Sequence, residues 1–127
     1  MNKKDEEKLN FILNKLKSLK YVYGIYLFGS QVNGRARKDS DIDIAVIIDN
    51  PTRKKELEVI GYGNDFFDIS AFSRLPLNIQ FRVIKEGKLL FCRDKGKLNL
   101  IKVEVLKRYL DFSSFMKGFY QKVISNV

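Results

Sequence analysis

The sequence predicts an α/β fold in which a small sheet is flanked by helices and a long C-terminal helix closes the chain. Three observations predict it. Apolar residues recur at helical spacing near both ends of the chain and between Pro76 and Gly87. Between those stretches lie short β-branched and aromatic runs, Tyr21 to Phe28, Ile42 to Ile48 and Phe66 to Phe72, each bounded by turn residues. With 127 residues the chain can bury one core and is too short for two ordinary ones, so residues 1–127 are expected to form a single domain.

From Lys4 to Lys20, residues Leu9, Ile12, Leu13, Leu16 and Leu19 share one helical face and lysines occupy the other. This amphipathic helix is expected to cover the sheet rather than a membrane, since Phe11 is its sole aromatic anchor. Asn2 or Asp5 is placed to cap it, and Asp5, Glu6 and Glu7 suit the positive end of its dipole. Val22 to Phe28 reads as the first strand, broken by Gly29-Ser30, and Gln31 to Ala36 as a short helix or turn. Ile42 to Ile48 reads as the second strand, ended by Asp49-Asn50-Pro51. Thr52 to Glu58 is a helix start or a surface loop, with Leu57, Val59 and Ile60 packing locally, and Gly61-Tyr62-Gly63-Asn64 is a mobile break. Phe66 to Phe72 is the third strand. Pro76 opens and Gly87 stops a helix with Leu77, Phe81 and Ile84 as its buried stripe. Leu89 to Cys92 is a short strand or extended edge. Leu98, Ile101, Val105, Phe112, Phe115 and Phe119 then run along a long helix with a bend or break near Gly118. So long a helix on so small a domain can leave an apolar face for a partner protein.

The chemistry concentrates between Gly29 and Asp43. Alternate residues of a strand share a face, so Asp41 and Asp43 point the same way, roughly 7 Å apart, while Ile42, Ile44, Val46 and Ile48 point into a core. Two carboxylates this close repel unless one is protonated, both are solvated, or a cation lies between them. A divalent cation is the productive solution, and hard oxygen ligands suit Mg²⁺, whose shell is usually completed by water and nucleotide phosphates. Backbone amides of the Gly29-Ser30 turn and the Ser30 hydroxyl are suited to hold those phosphates, with Arg35, Arg37 and Lys38 nearby. The stretch therefore reads as a nucleoside triphosphate site. Gly29 and Gly34 have P-loop spacing, but Arg35-Ala36 stands where that motif needs Lys and then Ser or Thr, and a strand follows instead of a helix.

Gly29-Ser30 followed by Asp41-Ile42-Asp43 resembles the signature of the DNA polymerase β-like nucleotidyltransferases. The chain is most similar to their minimal nucleotidyltransferase branch, the MntA-type antitoxins paired with HEPN-domain toxins. Asp68-Ile69, Leu75-Pro76-Leu77, Phe81-Arg82-Val83, Leu89 to Asp94 and Tyr109-Leu110-Asp111-Phe112 extend the likeness over most of the chain. It implies a polymerase β-like fold with a small mixed sheet. It implies that Asp41, Asp43 and Asp68 are catalytic and hold two Mg²⁺ ions, and that Gly29, Ser30 and Arg37 bind the nucleotide. Asp68 is chosen over Asp65 because it aligns with the family's third aspartate and lies inside a strand, where an unpaired carboxylate is costly, whereas Asp65 suits a turn. Val32-Asn33-Gly34 departs from the family's usual Ala-Arg-Gly, and Arg37 matches a position often filled by arginine. The resemblance further implies ATP as donor and a tyrosine of a cognate HEPN toxin as acceptor. The alternatives are transfer to a small molecule or an RNA end, a noncatalytic antitoxin that neutralises by binding, and a plain nucleic-acid module.

Composition points to the same cluster by exclusion. The chain has no histidine, which closes Ser-His-Asp, Cys-His and histidine-metal chemistry and leaves carboxylates as the readiest general base. Cys92 is alone, so neither an internal disulfide nor a cysteine-built zinc site is available, and a buried structural thiol is expected. The net charge of +9 favours polyanionic partners, though the lysines are dispersed and nucleic acid is not the primary expectation. No apolar run approaches a membrane span, and charged Met1 to Lys8 lacks a signal-peptide core, so a cytoplasmic location is expected.

Overall fold

The β-branched runs form one mixed sheet whose strand order decides where the acidic residues gather. The computed structural model describes residues 3–29 and 41–125. Helix α1 (Lys3–Lys17) leads into β1 (Val22–Phe28), β2 (Ile42–Ile48), α2 (Arg53–Ile60) and β3 (Phe67–Ala71). A short 3-10 turn, Phe72–Arg74, precedes α3 (Leu77–Glu86), β4 (Lys88–Cys92) and α4 (Lys95–Ser125). The strands lie in the order β3-β2-β1-β4. β1 runs antiparallel to β2 and β4, and β2 runs parallel to β3, as a helical crossover through α2 permits.

Both faces of the sheet are covered. Ile42, Ile44, Val46 and Ile48 pack with Phe67 and Ile69 under Leu9, Ile12, Leu13 and Leu16 of α1 and Val59 of α2. The opposite face buries Tyr26, Ala45 and Ile47 against Val83 of α3 and Leu98 and Val105 of α4. The period-2 reading of β2 thus holds, with Asp43, Ala45 and Ile47 on the face opposite Ile42, Ile44, Val46 and Ile48.

Several boundaries differ from the sequence reading for local reasons. Helix α1 stops at Lys17, and Ser18 and Leu19 close it with amides bonded to Asn14, Lys15 and Leu16 carbonyls. Arg93 then reaches back to the Val22 carbonyl at 2.9 Å and the Lys17 carbonyl at 2.5 Å, tying the end of β4 to the end of α1. Thr52 to Glu58 is helix rather than loop, because the Thr52 side chain accepts the Lys55 amide at 3.2 Å. Leu57 and Ile60 point outward, and Val59 alone of that trio is buried. The Gly61–Asn64 break is tied down: Asn64 Oδ1 accepts the amides of Phe66 and Phe67, both at 2.8 Å, which also delays the start of β3 to Phe67. In α3 the buried residues are Val83 and Gln80, while Leu77, Phe81 and Ile84 are half-buried along the seam with α4. Gln80 is tolerated there because its Nε2 donates to the Phe72 carbonyl at 2.8 Å. Cys92 is half-buried, and α4 runs through Gly118 without a break.

A polar clasp secures the crossover between β2 and β3. Glu56 on α2 is 4% exposed; it accepts the Ser73 hydroxyl at 2.6 Å and Arg74 Nε at 2.9 Å. The Ser73 bond, acting against burial and aided by the guanidinium of Arg74 and by Arg53, holds the Glu56 carboxyl below the usual carboxylate range. A carboxyl that is a stronger acid when folded contributes fully above its unfolded pKa and loses that contribution as pH falls through the folded value. Glu56→Ala is therefore expected to lower stability at pH 7 by about 2 kcal/mol in urea unfolding. The gap from the native chain should narrow below about pH 4.

Candidate active site

Three strand ends meet at one edge of the sheet. Gly29 follows the last residue of β1, Asp41 precedes β2, and Asp68 is the second residue of β3. The antiparallel register sets Phe28 opposite Asp43, and the parallel register sets Asp43 directly beside Asp68. Ile42 donates its amide to the Phe66 carbonyl at 2.9 Å, extending the β2–β3 pairing to its first residue. Since Phe67 and Ile69 face α1, Asp68 shares the other face with Asp43. Asp65 lies in the turn before β3, outside the ladder.

Gly29 and Asp43 fit each other closely. Gly29 has φ +82, a left-handed conformation, and a Cβ placed there would lie 2.3 Å from Asp43 Oδ2. No side chain fits between them, so the glycine both turns the chain and makes room for the carboxylate. The sequence reading gave Gly29 to the turn after the first strand and to phosphate binding. The closeness to Asp43 was hidden because it depends on the β1–β2 register, although a glycine ending one strand near an acidic residue at the start of the next was the available signal.

The electrostatics agree with the geometry. Asp43 is half-buried, and burial, then Asp68, then Asp41, push its carboxyl above the usual range. Among the described residues no lysine or arginine forms an ion pair with any of the three. Asp68 is exposed, so a burial penalty was the wrong reason to single it out; its register with Asp43 is the right one. Ser30, Asn33, Arg35, Arg37 and Lys38, assigned to phosphate binding or proximity, lie outside the described residues, as does Asn2.

The acidic patch is open. Among the described residues no three carboxylates or thiols draw close enough to enclose a metal ion unaided. That donor set suits Mg²⁺, which takes one or two carboxylates from a protein and completes its octahedron with water and substrate phosphate. Mutual repulsion within the patch is relieved when a hard cation is shared between Asp43 and its neighbours. A separate cleft of about 540 Å³ opens at the other end of β2, lined by Asp49, Asn50, Ser73, Lys97 and Arg108. It is remote from the paired carboxylates.

With this geometry in place, comparison with known proteins is decisive. The model of the family described as "Polymerase beta, Nucleotidyltransferase" matches residues 7–96, well over half of the chain. The chain belongs to the polymerase β nucleotidyltransferase family. Its mixed sheet, flanking helices and long C-terminal helix are that family's fold. A Methanocaldococcus jannaschii protein described as an inferred protein adenylyltransferase is 39% identical over 70 residues, which cover 55% of this chain and 56% of the relative. This nucleotidyltransferase thus aligns with little more than half the length of that relative. Among solved structures, a toxin–antitoxin with AMP-PNP superposes with a TM-score of 0.69 at 22% identity, over 90% of this chain and 97% of the other. An MNT antitoxin in complex with a tri-AMPylated HEPN toxin from Shewanella oneidensis gives 0.66 at 21% identity, over 98% and 99%. These likenesses establish the fold of the nucleotidyltransferase. No helix among its described residues is long and apolar enough to cross a membrane.

Proposed function

We propose that residues 1–127 act as a single minimal nucleotidyltransferase domain that transfers AMP from ATP to a tyrosine of a cognate HEPN-family toxin, silencing it. The observation that carries this reading is the pairing of Asp43 with Asp68 on one face, beside a glycine whose left-handed turn leaves room for the Asp43 carboxylate. The relatives' adenylyltransferase name and their toxin complexes supply the substrate class.

Asp41 and Asp43 would hold Mg²⁺, and Gly29, Ser30 and Arg37 would orient the triphosphate. Asp68 faces the acceptor side and lowers the cost of removing the tyrosine proton. The tyrosine oxygen attacks the α-phosphorus, forming one P–O bond as the bond to pyrophosphate breaks. Pyrophosphate leaves, and the proton passes to the carboxylate side or to water. Two Mg²⁺ ions, when bound, supply charge stabilisation to the entering and leaving oxygens. A protein acceptor arrives already folded and oriented, so the domain needs to position little beyond the nucleotide.

The direct test is intact-mass spectrometry of the product of any adjacent HEPN-type gene after incubation with this chain, Mg²⁺ and ATP. The expected result is addition of AMP to a tyrosine by the native chain and none by Asp68→Asn. Neutralisation by Asp68→Asn as complete as by the native chain, with no AMP added by either, would replace this reading with a noncatalytic antitoxin.

A further inference from the structure

Helix α4 is longer than the body it packs on. Its 31 residues extend about 46 Å. Leu98 and Val105 are buried, Ile101 is half-buried, and Tyr109 stacks on Phe81 of α3 with ring centroids 3.9 Å apart. Beyond Tyr109 no residue of the helix is buried.

The apolar stripe nevertheless continues in the same steps of three and four. Phe112, Met116, Phe119 and Val123 extend the line of Leu98, Ile101 and Val105. Phe115, 67% exposed, and Tyr120, 57% exposed, widen it, and Phe115, Phe119 and Tyr120 form a run of ring contacts in solvent. Aromatic residues and methionine in this density mark the centre of protein interfaces rather than ordinary surface. A helical segment of this length with no buried residue is marginal in water, and covering its apolar face stabilises it.

Charge selects the occupant. Lys and Arg outnumber carboxylates seven to two along α4, one of the two, Glu104, is paired with Arg108, and beyond Asp111 only Lys117 and Lys122 are charged. A second copy would bring another +9 chain against this face. An acidic surface would meet it favourably.

We propose that the overhanging half of α4, Phe112 to Ile124, is the docking arm for the acceptor protein, received in an apolar groove between helices with an acidic rim. This rests on the reading above that the acceptor is a separate protein.

The test uses the full chain, Phe115→Ser/Phe119→Ser, Lys117→Glu/Lys122→Glu and Asp43→Asn, each titrated against the purified HEPN protein, with oligomeric state measured by light scattering. The expected result for the serine variant is binding weakened at least ~30-fold, with unfolding temperature and ATP affinity unchanged. The charge reversal should weaken binding about 10-fold and flatten its salt dependence. Asp43→Asn should bind as tightly as the native chain. Native affinity in the serine variant, no binding by the native chain, or a native dimer that the serine substitutions dissociate would overturn the proposal. Binding through α4 without AMP transfer by the native chain would instead sink the adenylylation reading and leave the docking arm standing.

Discussion

Asp43→Asn is expected to reduce AMP transfer by about 10³-fold or more while raising the unfolding temperature. The loss follows because Asp43 joins the strand ends of the site: it stands beside Asp68, opposite Phe28 and against Gly29. The gain follows from the sign of its titration. Burial and two carboxylate neighbours raise the Asp43 pKa in the folded state, so the folded protein holds that proton more tightly than the unfolded chain does. Stability contributed by protonated Asp43 is present at low pH and is lost as pH rises past the unfolded value towards the folded one. At pH 7 the ionised side chain is a cost, and the neutral amide removes it. An increase of about 2 °C in a metal-free melt is the expected reading, as is usual when a functional charge is neutralised. Added Mg²⁺ should raise the native midpoint and leave that of Asp43→Asn nearly unchanged, because a ligand stabilises only the form that binds it.

Gly29→Ala is expected to lower transfer by about 10²-fold or more and to destabilise the fold. The φ of +82 costs an L-residue about 1–2 kcal/mol. The 2.3 Å approach of a new Cβ to Asp43 Oδ2 adds a displacement of the carboxylate itself. A shift of order 1 Å at a reacting centre is enough for such a loss. The two substitutions should couple. In an Asp43→Ala background, Gly29→Ala should keep its φ penalty and lose its clash, so the stability effects of the pair will be less than additive. Full additivity in a urea-unfolding cycle would mean that the two groups do not meet as described.

Local chemistry was legible in the sequence. Strands Val22–Phe28 and Ile42–Ile48 stand where their β-branched runs place them, and α3 begins after Pro76 and ends at Gly87 because proline and glycine punctuate the backbone whatever surrounds it. Parity put Ile42, Ile44, Val46 and Ile48 on one face and Asp43 on the other. What sequence order could not supply was pairing at a distance. The parallel register that joins Asp43 to Asp68 spans an intervening helix, and the clasp of Glu56 with Ser73 and Arg74 reaches across β3 to make that glutamate a buried one. The stripe of α3 was shifted for the same reason: Val83 faces the sheet, and Phe81 is drawn to Tyr109 on α4. On α4 the helical period ran Leu98, Ile101, Val105, Phe112 and Phe119 along one line, but period alone does not tell a face packed on the body from one that extends past it.

The central claim is nucleotidyl transfer at the paired carboxylates, and isotopic position tests it most directly. The native chain and Asp43→Asn would each be incubated with Mg²⁺, the HEPN protein and ATP labelled at either the α- or the γ-phosphorus. The account predicts that α-label appears on the HEPN protein with the native chain alone and that γ-label leaves with pyrophosphate. Label transferred from the γ-position, or α-label transferred equally well by Asp43→Asn, would contradict it.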